Sequence, residues 1–170
     1  MERDAFWQLI NTVRTEARND ETQFESILIP HLEKLELTDL VEFDYHLREL
    51  VAQAYLNQLW GAAYIINGGA SGDGFYYFRS WLVMQGKEVY EKALTDPDSL
   101  VEVCDQINSD AEAEEVLYAA VNVYREKTDE DFESMIDPGD IGEVWPTDPD
   151  WKEEDLPQLF PRLSARYKDD

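Results

Sequence analysis

Apolar side chains recur at intervals of three and four residues through most of the first 126 positions of this chain. That spacing places them along one face of an α-helix. The short apolar run at 62–66 is ambiguous by itself, but helical stretches flank it and no strand-like run is available to pair with it. The pattern therefore predicts a mainly α protein of roughly six to eight helices. The clearest stripes are Phe6, Leu9, Ile10 and Val13; Phe43, Leu47, Leu50, Val51, Ala54 and Tyr55; and Val116, Leu117, Ala120, Val121 and Tyr124.

The size of the chain suits one folded domain, and its composition changes near the C-terminus. The 170 residues, 44% of them hydrophobic, can bury a core of their own. After Lys127 prolines and acidic residues become dense. We therefore predict a single compact multi-helix domain (residues 1–127) with an irregular acidic C-terminal arm (residues 128–170) packed on it; a mobile tail is the alternative. The side chains expected to dock are Phe132, Ile141, Trp145, Trp151, Leu156 and Phe160.

Polar residues ahead of the apolar stripes indicate where helices begin. The predicted N-terminal caps are Asp4, Asp20, Thr38 and Asp73, because a short side-chain oxygen can accept from the free amides of a first turn. The same reasoning predicts a helix over residues 100–107, opened by Asp98 or Ser99, and a longer one over about 111–126.

The net charge of −24 limits the classes of partner. The last 45 residues are the most acidic part, with 15 acidic and 5 basic side chains. Such a field repels nucleic-acid phosphates and anionic lipid surfaces and attracts basic proteins. We expect no direct nucleic-acid binding and no membrane association. The surface is either simply solvated or recruits a basic protein partner, in the latter case as an interaction module or a DNA mimic.

Nothing in the sequence indicates export or membrane insertion. The opening MERDAFWQLI lacks a basic region followed by an apolar run, and no stretch approaches ~18 uninterrupted apolar residues. Cys104 is the one cysteine, so no internal disulfide can form. A cytoplasmic location is expected.

The most distinctive part of the chain is the segment 60–82, WGAAYIINGGASGDGFYYFRSWL, named here the aromatic–glycine segment. Its glycines allow the backbone to approach a ligand or a partner closely. The spacing G-x-x-G-x-G reverses the dinucleotide fingerprint and has no preceding strand, so a tight turn between helices is favoured over a nucleotide site. The candidate ligand- or partner-binding residues are Trp60, Asn67, Gly69, Asp73, Gly74 and Arg79, with His46 as a more distant member.

Two of these residues allow both a structural and a functional interpretation. Arg79 can stack on Trp60, Tyr64 or Trp81 and pair with a buried carboxylate. That arrangement is either an internal ion pair or an anchor for an anionic ligand. His46 can form an acid–base pair with Asp44 or Glu42, or it is an ordinary imidazole at the edge of the core.

No motif with recognisable chemistry is present. There is no His-x-x-x-His, His-Glu-x-x-His or paired-cysteine spacing, and no serine lies in a G-x-S-x-G elbow. We therefore assign no catalytic residue, no metal site and no cofactor.

Four stretches together resemble a bacterial family called domain of unknown function 4240. They are Asp4-x-Phe6-Trp7-x-Leu9-Ile10; Phe43-Asp44-x-His46-Leu47-x-Glu49-Leu50; the aromatic–glycine segment; and Pro97-Asp98-Ser99-Leu100. The resemblance covers roughly residues 1–127. Members resemble regions found beside WGR domains in proteins labelled molybdate-metabolism regulators. This chain lacks that module, so nucleic-acid binding does not carry over, and the family implies no activity. The resemblance implies that the aromatic–glycine segment is its defining centre.

Two functions remain open from the sequence. The first is a non-enzymatic interaction or regulatory module in a bacterial cytoplasm, whose acidic surface binds a basic protein. The second is a small-ligand-binding or enzymatic domain centred on the aromatic–glycine segment. The second requires Asp73, Arg79 and His46 to lie together, and the first does not.

Overall fold

The computed structural model describes residues 1–130 and 145–168. Within these residues the chain forms nine α-helices, several short 3₁₀ turns and no β-strand. The mainly α class is confirmed, and the number of helices exceeds the six to eight predicted. The helices are α1 (Arg3–Glu16), α2 (Phe24–Leu32), α3 (Leu37–Gln53), α4 (Asn57–Ile66), α5 (Gly72–Met84), α6 (Lys87–Thr95), α7 (Val116–Thr128), α8 (Leu156–Leu159) and α9 (Pro161–Arg166).

The core lies where α1, α3 and α5 meet and where α7 packs against α2 and α3. On α1 the side chains of Phe6, Ile10 and Val13 are fully buried, because residues spaced by three and four share one helix face. Phe6 contacts Phe43 of α3, with ring centroids 5.1 Å apart. On α5 the rings of Phe78 and Trp81 are buried against each other, so one continuous apolar interior unites these helices.

The predicted helix caps are only partly correct. Asp20 accepts from the Thr22 amide at 3.1 Å and opens the 3₁₀ turn Glu21–Gln23 that leads into α2, as expected. Asp4 and Thr38 instead lie within α1 and α3. The cap of α5 is Ser71, whose hydroxyl accepts from the Gly74 amide at 3.1 Å, while Asp73 lies in the first turn. A carboxylate in a first turn still interacts favourably with the helix dipole without capping it.

The two helices predicted between residues 100 and 126 differ from the expectation. The first is a pair of 3₁₀ segments, Pro97–Glu102 and Cys104–Gln106. The second begins at Val116, because the Ala111 and Ala113 amides donate to acceptors elsewhere in the fold. Residues 107–115 therefore form a loop.

Part of the C-terminal arm packs on the helical body. Leu156 and Phe160 are buried and Trp151 is half-buried, whereas Trp145 is 68% exposed, so the expected docking of Trp145 is wrong. The Asp148 carboxylate accepts from the amides of Asn57 and Gln58 at the start of α4, at 2.8 Å each. Asp98 likewise accepts from the amides at the start of α9. The predicted docking of Phe132 and Ile141 lies outside the described residues.

Candidate functional site

The aromatic–glycine segment comprises most of α4, a tight turn, and α5. Trp60 stacks on Phe75 with ring centroids 4.9 Å apart and ring planes 12° from parallel. The Trp60 indole also donates to the Ala70 carbonyl at 3.0 Å. Gly68 and Gly69 adopt φ values of +66° and +134°, which L side chains rarely adopt. The predicted site residues Trp60 and Gly69 therefore shape the turn between α4 and α5.

Asn67 connects this turn to the loop at 107–115. Its Oδ1 atom accepts from the Ala111 amide at 2.9 Å. Two residues further on, the Ala113 amide donates to the Tyr77 carbonyl of α5 at 3.1 Å. The aromatic–glycine segment thus fastens this loop at two points.

Gly74 makes room for a carboxylate of the same loop. A Cβ atom added at Gly74 would lie 3.0 Å from Oε1 of Glu112, which is tighter than ordinary contact. The neighbouring Asp73 is exposed. Asn67 and Gly74 therefore both act on the loop, whereas none of the hydrogen bonds or ion pairs found in residues 1–130 and 145–168 involves the Asp73 side chain.

Arg79 is buried in an aromatic setting that differs from the predicted one. Its guanidinium carbon lies 4.4 Å from the ring centroid of Tyr55 and 5.0 Å from that of Phe75. It donates to the Val51 carbonyl at 2.9 Å and so ties α5 to α3. Burial lowers the pKa of Arg79. Among the described residues no carboxylate forms an ion pair with it, so the expected buried ion pair and the stacking on Trp60, Tyr64 or Trp81 are wrong.

His46 belongs to a separate part of the core. Its Nε2 atom lies 3.0 Å from the Met1 carbonyl oxygen, and its ring packs edge-on against Phe6 and Tyr45. Burial is the main cause that lowers the pKa of His46. None of the side-chain hydrogen bonds and ring contacts of His46 found within residues 1–130 and 145–168 involves Arg79.

A cleft of about 370 Å³ opens between the 3₁₀ turn before α2 and the 107–115 loop. We name it the acidic cleft, because six of its ten lining residues are acidic. None of the ion pairs within residues 1–130 and 145–168 involves any of the six. The acidic lining residues are Glu21, Glu25, Asp110, Glu112, Glu114 and Glu115.

Glu21 is the buried member of the acidic cleft, at 7% exposure. Its Oε1 atom accepts from the amides of Asn108 and Ser109 at 2.7 Å each, and from the Ser109 hydroxyl at 3.2 Å. Its Oε2 atom is covered from solvent and has no hydrogen-bond partner among the residues that the structure describes. One carboxylate oxygen thus fixes the loop, and the other is left unsatisfied.

Like charges crowd the cleft. Burial, reinforced by Asp110 and Glu114, raises the pKa of Glu112. A hydrogen bond to Glu114 raises the pKa of Tyr77 to about 12. Carboxylates so close together stabilise one another's protonated forms, and a bound cation would relieve the repulsion.

These carboxylates are not gathered as metal ligands. In the part of the chain that the structure describes, no group of three His, Cys, Asp or Glu side chains could hold a metal ion. Among the helices described, none combines the length and the apolar character needed to cross a bilayer.

Comparison with known proteins adds a family but no activity. The model of a family described as "Protein of unknown function (DUF4240)" matches residues 1–126. The chain belongs to this family. The DUF4240 match spans every predicted site residue and both walls of the acidic cleft, and it ends before the C-terminal residues that pack on the core. Searches of curated proteins and of solved structures give no match.

The sequence indicates two residues that support the acidic cleft, but it does not indicate the carboxylates that line the cleft. Asn67 and Gly74 stand out in the sequence, whereas Glu21 is one of 38 acidic residues with no distinguishing local pattern. The loop at 107–115 is not predicted, because the apolar spacing over 111–126 favours a helix. Glu21 and Ser109 are far apart along the chain, so only the fold brings them together.

Proposed function

We propose that this protein is a non-enzymatic interaction or regulatory module of a bacterial cytoplasm that binds a basic protein through its acidic surface. The observation that carries the proposal is the acidic cleft, in which six carboxylate side chains have no ion-pair partner among the described residues. The net charge of −24 supports it, because a field of that sign accelerates encounters with basic partners.

The cleft is held open by bonds that do not depend on a partner. Backbone amides of the loop donate hydrogen bonds to Asn67, Tyr77 and Glu21. A wall fixed in advance loses less conformational entropy when it binds. We therefore place the recognition of the basic partner at the acidic cleft, as opposed to the acidic surface in general.

A decalysine peptide tests this placement by calorimetric titration at about 50 mM and about 300 mM NaCl. In the cleft variant, Glu25, Glu112 and Glu114 are each changed to Gln. The matched control changes three exposed acids outside the cleft, Glu33, Glu88 and Glu154, to Gln. Both variants lose the same charge, so long-range attraction falls equally.

We expect salt-sensitive binding to the parent protein and a loss of at least about tenfold in affinity for the cleft variant. The control should stay within about twofold of the parent. Equal losses in the two variants would contradict the proposal, because they would mean that the peptide responds to net charge alone.

The alternative, a small-ligand-binding or enzymatic domain centred on the aromatic–glycine segment, loses His46, which belongs to a separate part of the core. One observation still favours it. Arg79 is a buried guanidinium without a carboxylate partner among the described residues, beside Tyr55 and Tyr76. Such a group can receive an anion. A thermal-shift screen of phosphate, citrate and nucleotides tests it. Stabilisation of the parent protein but not of folded Arg79→Lys would favour this alternative.

A further inference from the structure

We propose that the acidic cleft receives one cationic side chain of the basic partner, whose ammonium or guanidinium group donates a hydrogen bond to Oε2 of Glu21. This inference rests on the proposed function and names the contact at its centre. It distinguishes one buried carboxylate from the other acids of the surface.

The two oxygens of the Glu21 carboxylate are used unequally. Oε1 accepts from two amides and a hydroxyl, whereas Oε2 has no donor although it is covered from solvent. Buried polar atoms in folded proteins are nearly always hydrogen-bonded, and an unpaired carboxylate oxygen is costly. Oε2 therefore lacks a donor in this structure, and a bound group can supply one only where it displaces the atoms that cover Oε2.

Glu21 also lies among other carboxylates. It lines the acidic cleft together with Glu25, and the 107–115 loop contributes Asp110, Glu112 and Glu114 to the same cleft. An entering cation would meet Glu21 with further carboxylates around it. A charge-assisted hydrogen bond is about twice as strong as a neutral one, so a cationic donor suits Oε2 better than a hydroxyl or an amide.

The volume of the acidic cleft also suits a cationic side chain. A volume of about 370 Å³ admits a long side chain together with water. Lysine and arginine carry their charge on long apolar stems, which allows the head group to reach a carboxylate inside a cleft. Both side chains carry a cation at the end of a flexible chain, and the test distinguishes lysine from arginine.

The test uses the full chain and three capped tripeptides, N-acetyl-Gly-X-Gly-amide, in which X is arginine, lysine or citrulline. Citrulline has nearly the shape of arginine but no charge. Binding is followed by the NMR shifts of the Asn108 and Ser109 amides, because both donate to the other oxygen of the same carboxylate.

We expect the arginine or the lysine tripeptide to shift these two amides saturably, and the citrulline tripeptide to leave them unchanged. Glu21→Gln should weaken the binding at least about tenfold, while the matched control Glu88→Gln should stay within about twofold. The arginine-to-lysine ratio then identifies the preferred head group.

Three results would overturn the inference: equal shifts with citrulline, unchanged affinity in Glu21→Gln, or saturation of the same amides by MgCl₂ or CaCl₂ alone at lower concentration. The citrulline comparison uses the parent protein, so it decides the matter even if Glu21→Gln fails to fold. After any of these results, the decalysine titration separates two cases. If decalysine binds the cleft variant more weakly than the control variant, only the role of Glu21 fails. If it binds both variants equally, the proposed function fails as well.

Discussion

Gly61 of α4 and Phe160, at the junction of α8 and α9, are in direct contact. A Cβ atom added at Gly61 would lie 2.7 Å from Cε2 of Phe160 and 3.2 Å from the indole nitrogen of Trp151. Both aromatic rings come from the C-terminal part of the chain, and Phe160 is 1% exposed. The absence of a side chain at Gly61 is therefore what allows this part of the arm to dock.

Gly61→Ala should lower the free energy of unfolding by about 1–2 kcal/mol, because the gain in helix propensity is smaller than the strain of displacing a buried ring. Urea denaturation measures the change. The control is Gly72→Ala at the start of α5, where a Cβ atom would meet nothing within 4 Å. It should be neutral or slightly stabilising. Equal effects at the two positions would show that Phe160 is not held against Gly61.

Asn67→Ala should lower the free energy of unfolding by about 1–2 kcal/mol, because it leaves the Ala111 amide without an acceptor. Hydrogen exchange at that amide should accelerate, and decalysine should bind more weakly as the wall of the acidic cleft loosens. Asn122→Ala, on the exposed side of α7, supplies the control. Unchanged exchange at Ala111 would mean that Asn67 does not hold the loop.

Arg79→Ala should lower the free energy of unfolding by about 2–4 kcal/mol, since it removes buried cation–π contacts and the donor to the Val51 carbonyl. Thermal and urea unfolding give the value. Arg162→Ala is a suitable comparison, because within residues 1–130 and 145–168 its side chain makes no ion pair besides the exposed one with Glu102. Because solvent screens an exposed pair, its loss should lower the free energy of unfolding far less than the loss of Arg79. Comparable effects of the two substitutions would refute a structural role for Arg79.

Asp44→Asn should reveal a dependence of stability on pH. Asp44 is fully buried, and burial raises its pKa more than the ion pair with Arg48 lowers it. The charged form is therefore disfavoured in the folded protein, and this unfavourable contribution disappears as the pH falls through the raised pKa of the folded state. We expect Asp44→Asn to stabilise the protein at neutral pH.

The advantage of Asp44→Asn should shrink as the pH falls toward the ordinary value for aspartate. Urea unfolding curves of the two proteins between about pH 7 and about pH 4 measure the difference. An advantage that grows with acidity would show that the Arg48 pair outweighs burial.

The periodicity of the sequence predicts the helices and their buried faces, because those depend on neighbours three and four residues away. Phe6, Ile10 and Val13 are buried as their spacing requires. Caps are harder to assign, since Ser71 and Asp73 lie two residues apart and either side chain could accept from a first-turn amide. The backbone geometry of the turn decides which of the two caps α5, and that geometry cannot be read from the residue types alone.

The candidate site depends on contacts between distant parts of the chain. Asn67 meets Ala111, and Glu21 meets Ser109, in each case through a side chain that binds backbone of the loop. The apolar spacing from Ala111 onward favours a helix, but those long-range acceptors hold the first residues in a loop. Segments whose amides bind outside their own element cannot be recognised from local pattern.

The burial of Phe160 and Leu163 bears on the order in which the protein can be completed during synthesis. Both side chains are core residues, yet they emerge from the ribosome after the helices that surround them. Until then the groove at Gly61 is uncovered, and the first amides of α4 lack the Asp148 carboxylate. The nascent helical body therefore exposes apolar surface until residues 160–163 have been made, and that interval is when it is most open to aggregation or to capture by chaperones.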